Sequence, residues 1–159
     1  MKIKIIAVGK IKETFFDNAI KEYLKRLTRY CKLEIIQVTD EKTDEKMSEV
    51  EQDLVLKKEA ERILKNVKDD TYLITLEIKG ETPDSEKLAK KIEDIGISGQ
   101  NEITFVIGGS LGLHSDVTSK ANYKLSFSKM TFPHQLMRVI LLEQIYRSFR
   151  IINGEPYHK

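Results

Sequence analysis

Phe105-Val106-Ile107-Gly108-Gly109-Ser110-Leu111-Gly112 is a short apolar run that opens into a glycine-rich turn. A brief run of aromatic and β-branched residues bounded by glycine reads as a buried strand. Ligands of parallel sheets bind at the carboxyl ends of such strands. Glycine there lets backbone approach a ligand closely and reach positive φ. Taken alone, the stretch fits a tight strand-to-helix connection equally well. It is not a dinucleotide fingerprint, because G-x-G-x-x-G is absent, and no Gly-Lys-Ser/Thr follows to make a phosphate loop.

Outward from this stretch the chain alternates. Lys2 to Val8 reads as a strand closed by Gly9, and Glu13 to Tyr30 carries Phe16, Ile20, Tyr23, Leu24 and Leu27 at helical spacing. Lys32 to Val38 is a second strand, and Asp40 to Asp44 a charged loop before a long helix from about Met47 to Val67. Thr71 to Glu77 is a third strand. Gly80 to Pro83 reads as a turn, with Thr82 capping a helix that Pro83 begins and Gly96 and Gly99 end. Glu102 to Ile107 is the fourth strand. A short helix near Ser115 to Ala121, a fifth strand from Tyr123 to Phe127 and a last helix from Pro133 to about Ile151 complete the chain. Strands alternating with helices predict an α/β fold: a mostly parallel sheet with helices on both faces, as a single domain over 1–159.

Composition narrows the function classes. With 159 residues, 40% hydrophobic and 33% charged, the chain suits one globular domain. The longest apolar runs are too short to span a bilayer, and Met1 to Lys4 enters a strand pattern rather than a signal peptide, so no membrane partner and a cytoplasmic location are expected. The single cysteine, Cys31, permits no internal disulfide and reads as a small buried or half-buried side chain. The net charge of +2 gives little general attraction to phosphate, so any nucleic-acid contact must be a local patch. No spacing of ligating residues suggests a metal.

Three further segments carry candidate chemistry. Leu125 to Leu136 is a second strand end running into a helix, and two such loops side by side would form one pocket. In it Met130 and Phe132 would supply apolar walls; read singly, they are ordinary core. The last helix is apolar around most of its circumference, through Leu136, Met137, Val139, Ile140, Leu141, Leu142, Ile145, Tyr146 and Phe149. This is more than one sheet face requires and predicts a second subunit against it, with Ile145 and Phe149 in the contact. Glu143 and Arg147 stand at i,i+4, the spacing of an ordinary helix ion pair. Tyr157, His158 and Lys159 close the chain; aromatic, imidazole and ammonium groups together suit a nucleic-acid base and phosphate.

In order and spacing these segments resemble the SPOUT superfamily of methyltransferases, and within it the bacterial large-subunit rRNA pseudouridine N3-methyltransferases, the H type. The resemblance covers essentially the whole chain. It rests on Ile6 to Lys10, Phe105 to Gly112, Ser126 to Gln135, Arg138, Glu143 to Arg147 and Pro156-Tyr157-His158. The chain departs at its end, where Lys159 stands in place of a frequent arginine and loses the planar fork. The resemblance implies a C-terminal trefoil knot, a homodimer and S-adenosylmethionine as cofactor. It implies a cofactor pocket from Leu76, Gly108, Gly109, Phe127, Ser128, Lys129, Met130, Thr131 and Phe132. The substrate it implies is a pseudouridine in 23S rRNA of the assembled ribosome. His158 is then a candidate base, Tyr157 a stacking group, Arg147 an anchor for phosphate or a developing anion, and Glu143 its holder. Two alternatives stay open: a SPOUT methyltransferase of tRNA, and a non-enzymatic ribosome-associated RNA-binding dimer, which would bind no cofactor.

Overall fold

The structure is a computed structural model that describes residues 1–159. The elements, in chain order, are β1 (Lys2–Val8), α1 (Thr14–Leu27), β2 (Lys32–Val38), α2 (Glu49–Leu64) and β3 (Tyr72–Glu81). They continue with α3 (Ser85–Ile97), β4 (Glu102–Ile107), α4 (Ser115–Thr118), β5 (Tyr123–Leu125) and α5 (His134–Ile152). The five strands form one sheet in the order β2-β1-β4-β3-β5, and every pairing is parallel.

Strand alternation sorts the core into two layers. Ile3, Ile5 and Ala7 of β1, with Ile103, Phe105 and Ile107 of β4, face α1, α3 and α5. Ile6, Val8, Leu73 and Val106 face α2 and α4 through Ala60, Ile63 and Val117. β1 and β4 lie inside the sheet and are buried on both faces; one face is apolar throughout, and the other seats Lys4, Glu102 and Thr104 at one end of Ile6, Val8 and Val106.

The structure corrects two boundaries. β3 runs four residues past Glu77, to Glu81, and does not turn at Gly80. Gly80 lies against β5: a Cβ there would stand 2.7 Å from the carbonyl oxygen of Lys124. The cap of α3 is Asp84, whose carboxylate accepts from Lys87 N at 2.7 Å, rather than Thr82. A free carboxylate facing the positive end of a helix caps at least as well as a hydroxyl, and it sits one residue past the proline.

A third correction concerns α5. Ile145 is fully buried and Phe149 8% exposed, both inside the chain's own core. The apolar circumference of α5 is largely taken up by α1 on one flank, α3 on the other and the sheet beneath. Leu136, Ile140 and Ile151 are the half-buried apolar residues of this helix that pack against neither core layer.

Candidate active site

The carboxyl ends of β3, β4 and β5 open into one cavity of about 740 Å³, a volume suited to a nucleoside-sized ligand. Leu76 to Lys79 form one wall, Ile107 to Ser110 with Gly112 and Leu113 a second, and Leu125 to Met137 most of a third. Of the residues expected to hold a cofactor, Leu76, Gly108, Gly109, Phe127, Ser128, Met130, Thr131 and Phe132 all line it. Lys129 does not; it lies exposed on the same loop.

Backbone proximity explains the glycines. A Cβ on Gly108 would stand 2.4 Å from the carbonyl oxygen of Gly112, so no side chain fits there without moving the turn. Gly112 itself has φ of +87°, a left-handed conformation that glycine adopts at no steric cost. Gly109 pairs with Gly112 and closes the turn. On the opposite loop, Ser126 Oγ donates to the Ser128 carbonyl at 3.0 Å, and Ser128 Oγ accepts from Met130 N at 3.0 Å. These short side-chain bonds shape the loop locally.

Sequence reasoning missed Ile78, Lys79, His134 and Met137 among the lining residues. The signal for Ile78 was the alternation Ile74, Leu76, Ile78, which carries β3 past Glu77. His134 is the first residue of α5; burial, and then the nearby Arg138, hold its pKa below the ordinary value, so it favours the neutral form.

Arg138 fastens this wall to the rest of the sheet. It is 1% exposed, donating from Nη2 to the carbonyls of Val8 (3.0 Å) and Gly9 (2.7 Å) and from Nη1 to Gln37 Oε1 (3.0 Å). Gln135 Oε1 accepts from Lys12 N at 2.9 Å and ties the same end of α5 to the start of α1.

Glu143, Arg147, Tyr157 and His158 come together on α5 and the tail. Glu143 is the hub. Its Oε1 accepts from Arg147 Nε (2.9 Å) and Nη2 (2.6 Å), and its Oε2 from Tyr157 Oη (2.9 Å) and Tyr23 Oη (2.7 Å). Burial, and then the bond to Glu143, raise the pKa of both phenols, so both stay protonated donors. Arg147 also lies over the Tyr157 ring, 4.6 Å from its centroid, and Tyr157 meets Tyr146 edge-on at 5.0 Å. The tail is therefore docked rather than frayed.

His158 Nδ1 lies 3.3 Å from Arg147 Nη1. A guanidinium only donates, which assigns the acceptor role to Nδ1 and the proton to Nε2. His158 Nε2 faces Glu86 Oε1 at 3.7 Å. In this arrangement the basic nitrogen is engaged, and His158 gains a free lone pair only by leaving Arg147. His158 lines a second depression, of about 520 Å³, whose walls include Leu125 and Phe127. The same two residues line the larger cavity, so within one chain they stand between the cavity and the charged cluster.

Cys31 lies apart from both, on the loop between α1 and β2; burial pushes its thiol up to about 11, which leaves it unreactive. No helix is long and apolar enough to cross a membrane.

A parallel sheet whose adjacent strand ends build a glycine-walled cavity defines a small-ligand-binding α/β domain, and the family is identified over its full length. The family described as "Predicted SPOUT methyltransferase" matches residues 1–158. The chain belongs to this methyltransferase family and, within it, to the ribosomal RNA large subunit methyltransferase H group. It is 66% identical over all 159 residues to the "Putative ribosomal RNA large subunit methyltransferase H" of Methanococcus maripaludis, covering 100% of both chains. It is 58% identical, with the same full coverage of both, to the "Ribosomal RNA large subunit methyltransferase H" of Alkaliphilus oremlandii. Among solved structures, the tRNA (m1G37) methyltransferase of Aquifex aeolicus superposes with a TM-score of 0.55 at 13% identity, over 100% of this chain and 75% of that one. A probable methylase family protein of Haemophilus influenzae gives 0.51 at 16% identity, over 96% of this chain and 66% of that one. At such identity these two report a shared fold. The expected α/β architecture, family and methyltransferase class are borne out; a methyltransferase requires a methyl donor.

Proposed function

We propose that this protein transfers a methyl group from S-adenosylmethionine to N3 of a pseudouridine in 23S rRNA of the assembled ribosome. The observation that carries the reading is the cavity: a space of about 740 Å³ at three adjacent strand ends, walled by eight of the nine residues that the family pattern assigns to the cofactor. The fit is chemical as well as spatial. Ile78, Met130, Phe132 and Met137 offer apolar surface, while free backbone polar groups of the 126–132 loop suit the edge of an adenine. S-adenosylmethionine, when bound, supplies a methyl group already activated by the positive sulfur.

The chain's own task is then to align and to manage charge. Arg147 stabilises the anion that forms when the base loses its N3 proton, or holds a phosphate beside it. Glu143 fixes the guanidinium, with Tyr23 and Tyr157 completing its hydrogen bonds. Tyr157 offers a ring to the base. His158 accepts the N3 proton once it swings off Arg147, which the base role requires given the present Nδ1 contact.

The protein acts as a homodimer. The half-buried Leu136 and Ile140 lie on the face of α5 that leads toward Glu143 and Arg147, so a second subunit seated on them would stand beside the charged cluster. Leu125 and Phe127 separate cavity and cluster within one chain, and this favours a site completed across the dimer. Sedimentation at micromolar concentration should give twice the 18.4 kDa chain; a monomer there contradicts the arrangement. A trefoil knot belongs to the same proposal. Leu125 pairs with both Leu76 and Glu81, so β3 bends around the end of β5, as a threaded chain would need.

The ribosome as substrate follows from charge. A net charge of +2 gives little sequence-independent hold on RNA. Specificity then rests on a preformed surface presenting an unstacked base. Mass spectrometry of large-subunit rRNA from cells lacking the protein tests the reading. A single N3-methylpseudouridine should revert to pseudouridine, and an unchanged modification profile would contradict it.

A further inference from the structure

Glu59, on α2, is 4% exposed, and it lies directly behind the glycine turn. A Cβ on Gly109 would stand 3.4 Å and 3.5 Å from its two carboxylate oxygens. Gly109 lines the cavity, so only the missing side chain of that residue separates the carboxylate from the cavity's backbone wall.

A carboxylate this deep ordinarily pairs with a cation. Glu59 has no such partner. It accepts one hydrogen bond, from Glu41 N at 3.0 Å, which orients it. The neighbouring guanidinium of Arg62 is turned to the Thr39 carbonyl and to the Glu41 carboxylate. Burial raises the pKa of Glu59, the bond from Glu41 N opposes that, and Asp40 adds charge of the same sign. The fold thus holds a buried carboxylate without an ion-pair partner behind one wall of the strand-end cavity. Groups kept in such unfavourable surroundings cluster at functional sites, where a ligand of opposite charge relieves them.

We propose that Glu59 is the fixed negative charge of the cofactor cavity, and that it biases the cavity toward a positively charged sulfonium donor over the neutral thioether that remains after transfer. This rests on the S-adenosylmethionine reading. Donor and product differ by one unit of charge at sulfur, and a buried carboxylate held close to the wall senses that difference far better than one in water. The bias helps the spent cofactor leave.

The test is calorimetric binding of three ligands: S-adenosylmethionine, S-adenosylhomocysteine, and sinefungin, which carries an amine in place of the sulfonium. Glu59→Gln keeps the acceptor for Glu41 N and removes only the charge. It should weaken S-adenosylmethionine and sinefungin by about fivefold, the scale of one charge several ångströms away in a medium between protein and water. S-adenosylhomocysteine should change by less than about twofold on the same scale. Should that variant fail to fold, Glu59→Asp draws the charge back by one methylene and should show the same selective loss at smaller size. Equal losses for all three ligands would make Glu59 a structural residue and overturn the proposal, as would no loss for any. A wild-type protein that binds none of the three would instead remove the S-adenosylmethionine reading itself.

Discussion

The cavity at the strand ends and the cluster on α5 are built from opposite materials. The cavity sets a glycine turn, Gly108, Gly109 and Gly112, on one side against apolar side chains of β3, the 126–132 loop and α5 on the others. Its shape is set by where the parallel strands stop, and a side chain added at Gly108 meets main chain. The cluster is made of side chains alone, with Glu143 accepting from Arg147, Tyr23 and Tyr157 at once. The tail rests on the outside of the core and contributes little to it. On the proposed function, the difference divides binding from chemistry: changes in the wall should act on cofactor affinity, and changes in the tail on turnover.

Removal of Tyr157 to Lys159 should give the largest effect. The deletion takes one hydrogen bond from Glu143, the ring beneath Arg147 and the imidazole together, while leaving the sheet untouched. Methyl transfer should fall by about 10² or more, the scale for losing a proton-transfer group. Cofactor affinity, read by calorimetry, should stay within about twofold, a few tenths of a kcal/mol. A truncated protein of full activity would erase the distinction from the chemical side.

The two glycines sharpen it from the binding side. Gly108→Val places atoms 2.4 Å from a backbone oxygen that cannot yield, and affinity should drop at least about tenfold, roughly 1.4 kcal/mol. Gly109→Ala meets the Val8 Cγ1 methyl at 3.1 Å, and a side chain can shift by a few tenths of an ångström. Its loss should be smaller, about threefold, or roughly 0.6 kcal/mol. Equal affinities for wild type and a folded Gly108→Val protein would take the turn out of the site.

Much of this was legible in the chain itself. The stretches Ile5 to Val8 of β1 and Ile103 to Ile107 of β4 are mostly apolar because the sheet is covered on both faces, and that made these strands easy to place. The glycine turn was legible because glycine is demanded where backbone meets backbone. Tyr157 and His158 were raised by their residue types and Glu143 and Arg147 by spacing as a helix pair, which they are; the catalytic roles came only through family resemblance. Ile145 and Phe149 were misread because periodicity counts how much of a helix is apolar and not what covers it; α1 and α3 both do. The last residues of β3 were missed because Gly80 signals a turn, whereas here it admits β5. Glu59 was invisible among the charges of α2, since burial of one carboxylate depends on contacts far along the chain.

The most direct test of the central claim is methyl incorporation from labelled S-adenosylmethionine under matched salt. The acceptors are assembled ribosomes, free large subunits and protein-free rRNA, each with and without the pseudouridine. Assembled ribosomes carrying the pseudouridine should be methylated efficiently, free large subunits poorly and naked rRNA almost not at all. Loss of the pseudouridine should sharply lower incorporation. Equal rates on naked rRNA, or no incorporation into any particle, would contradict the account.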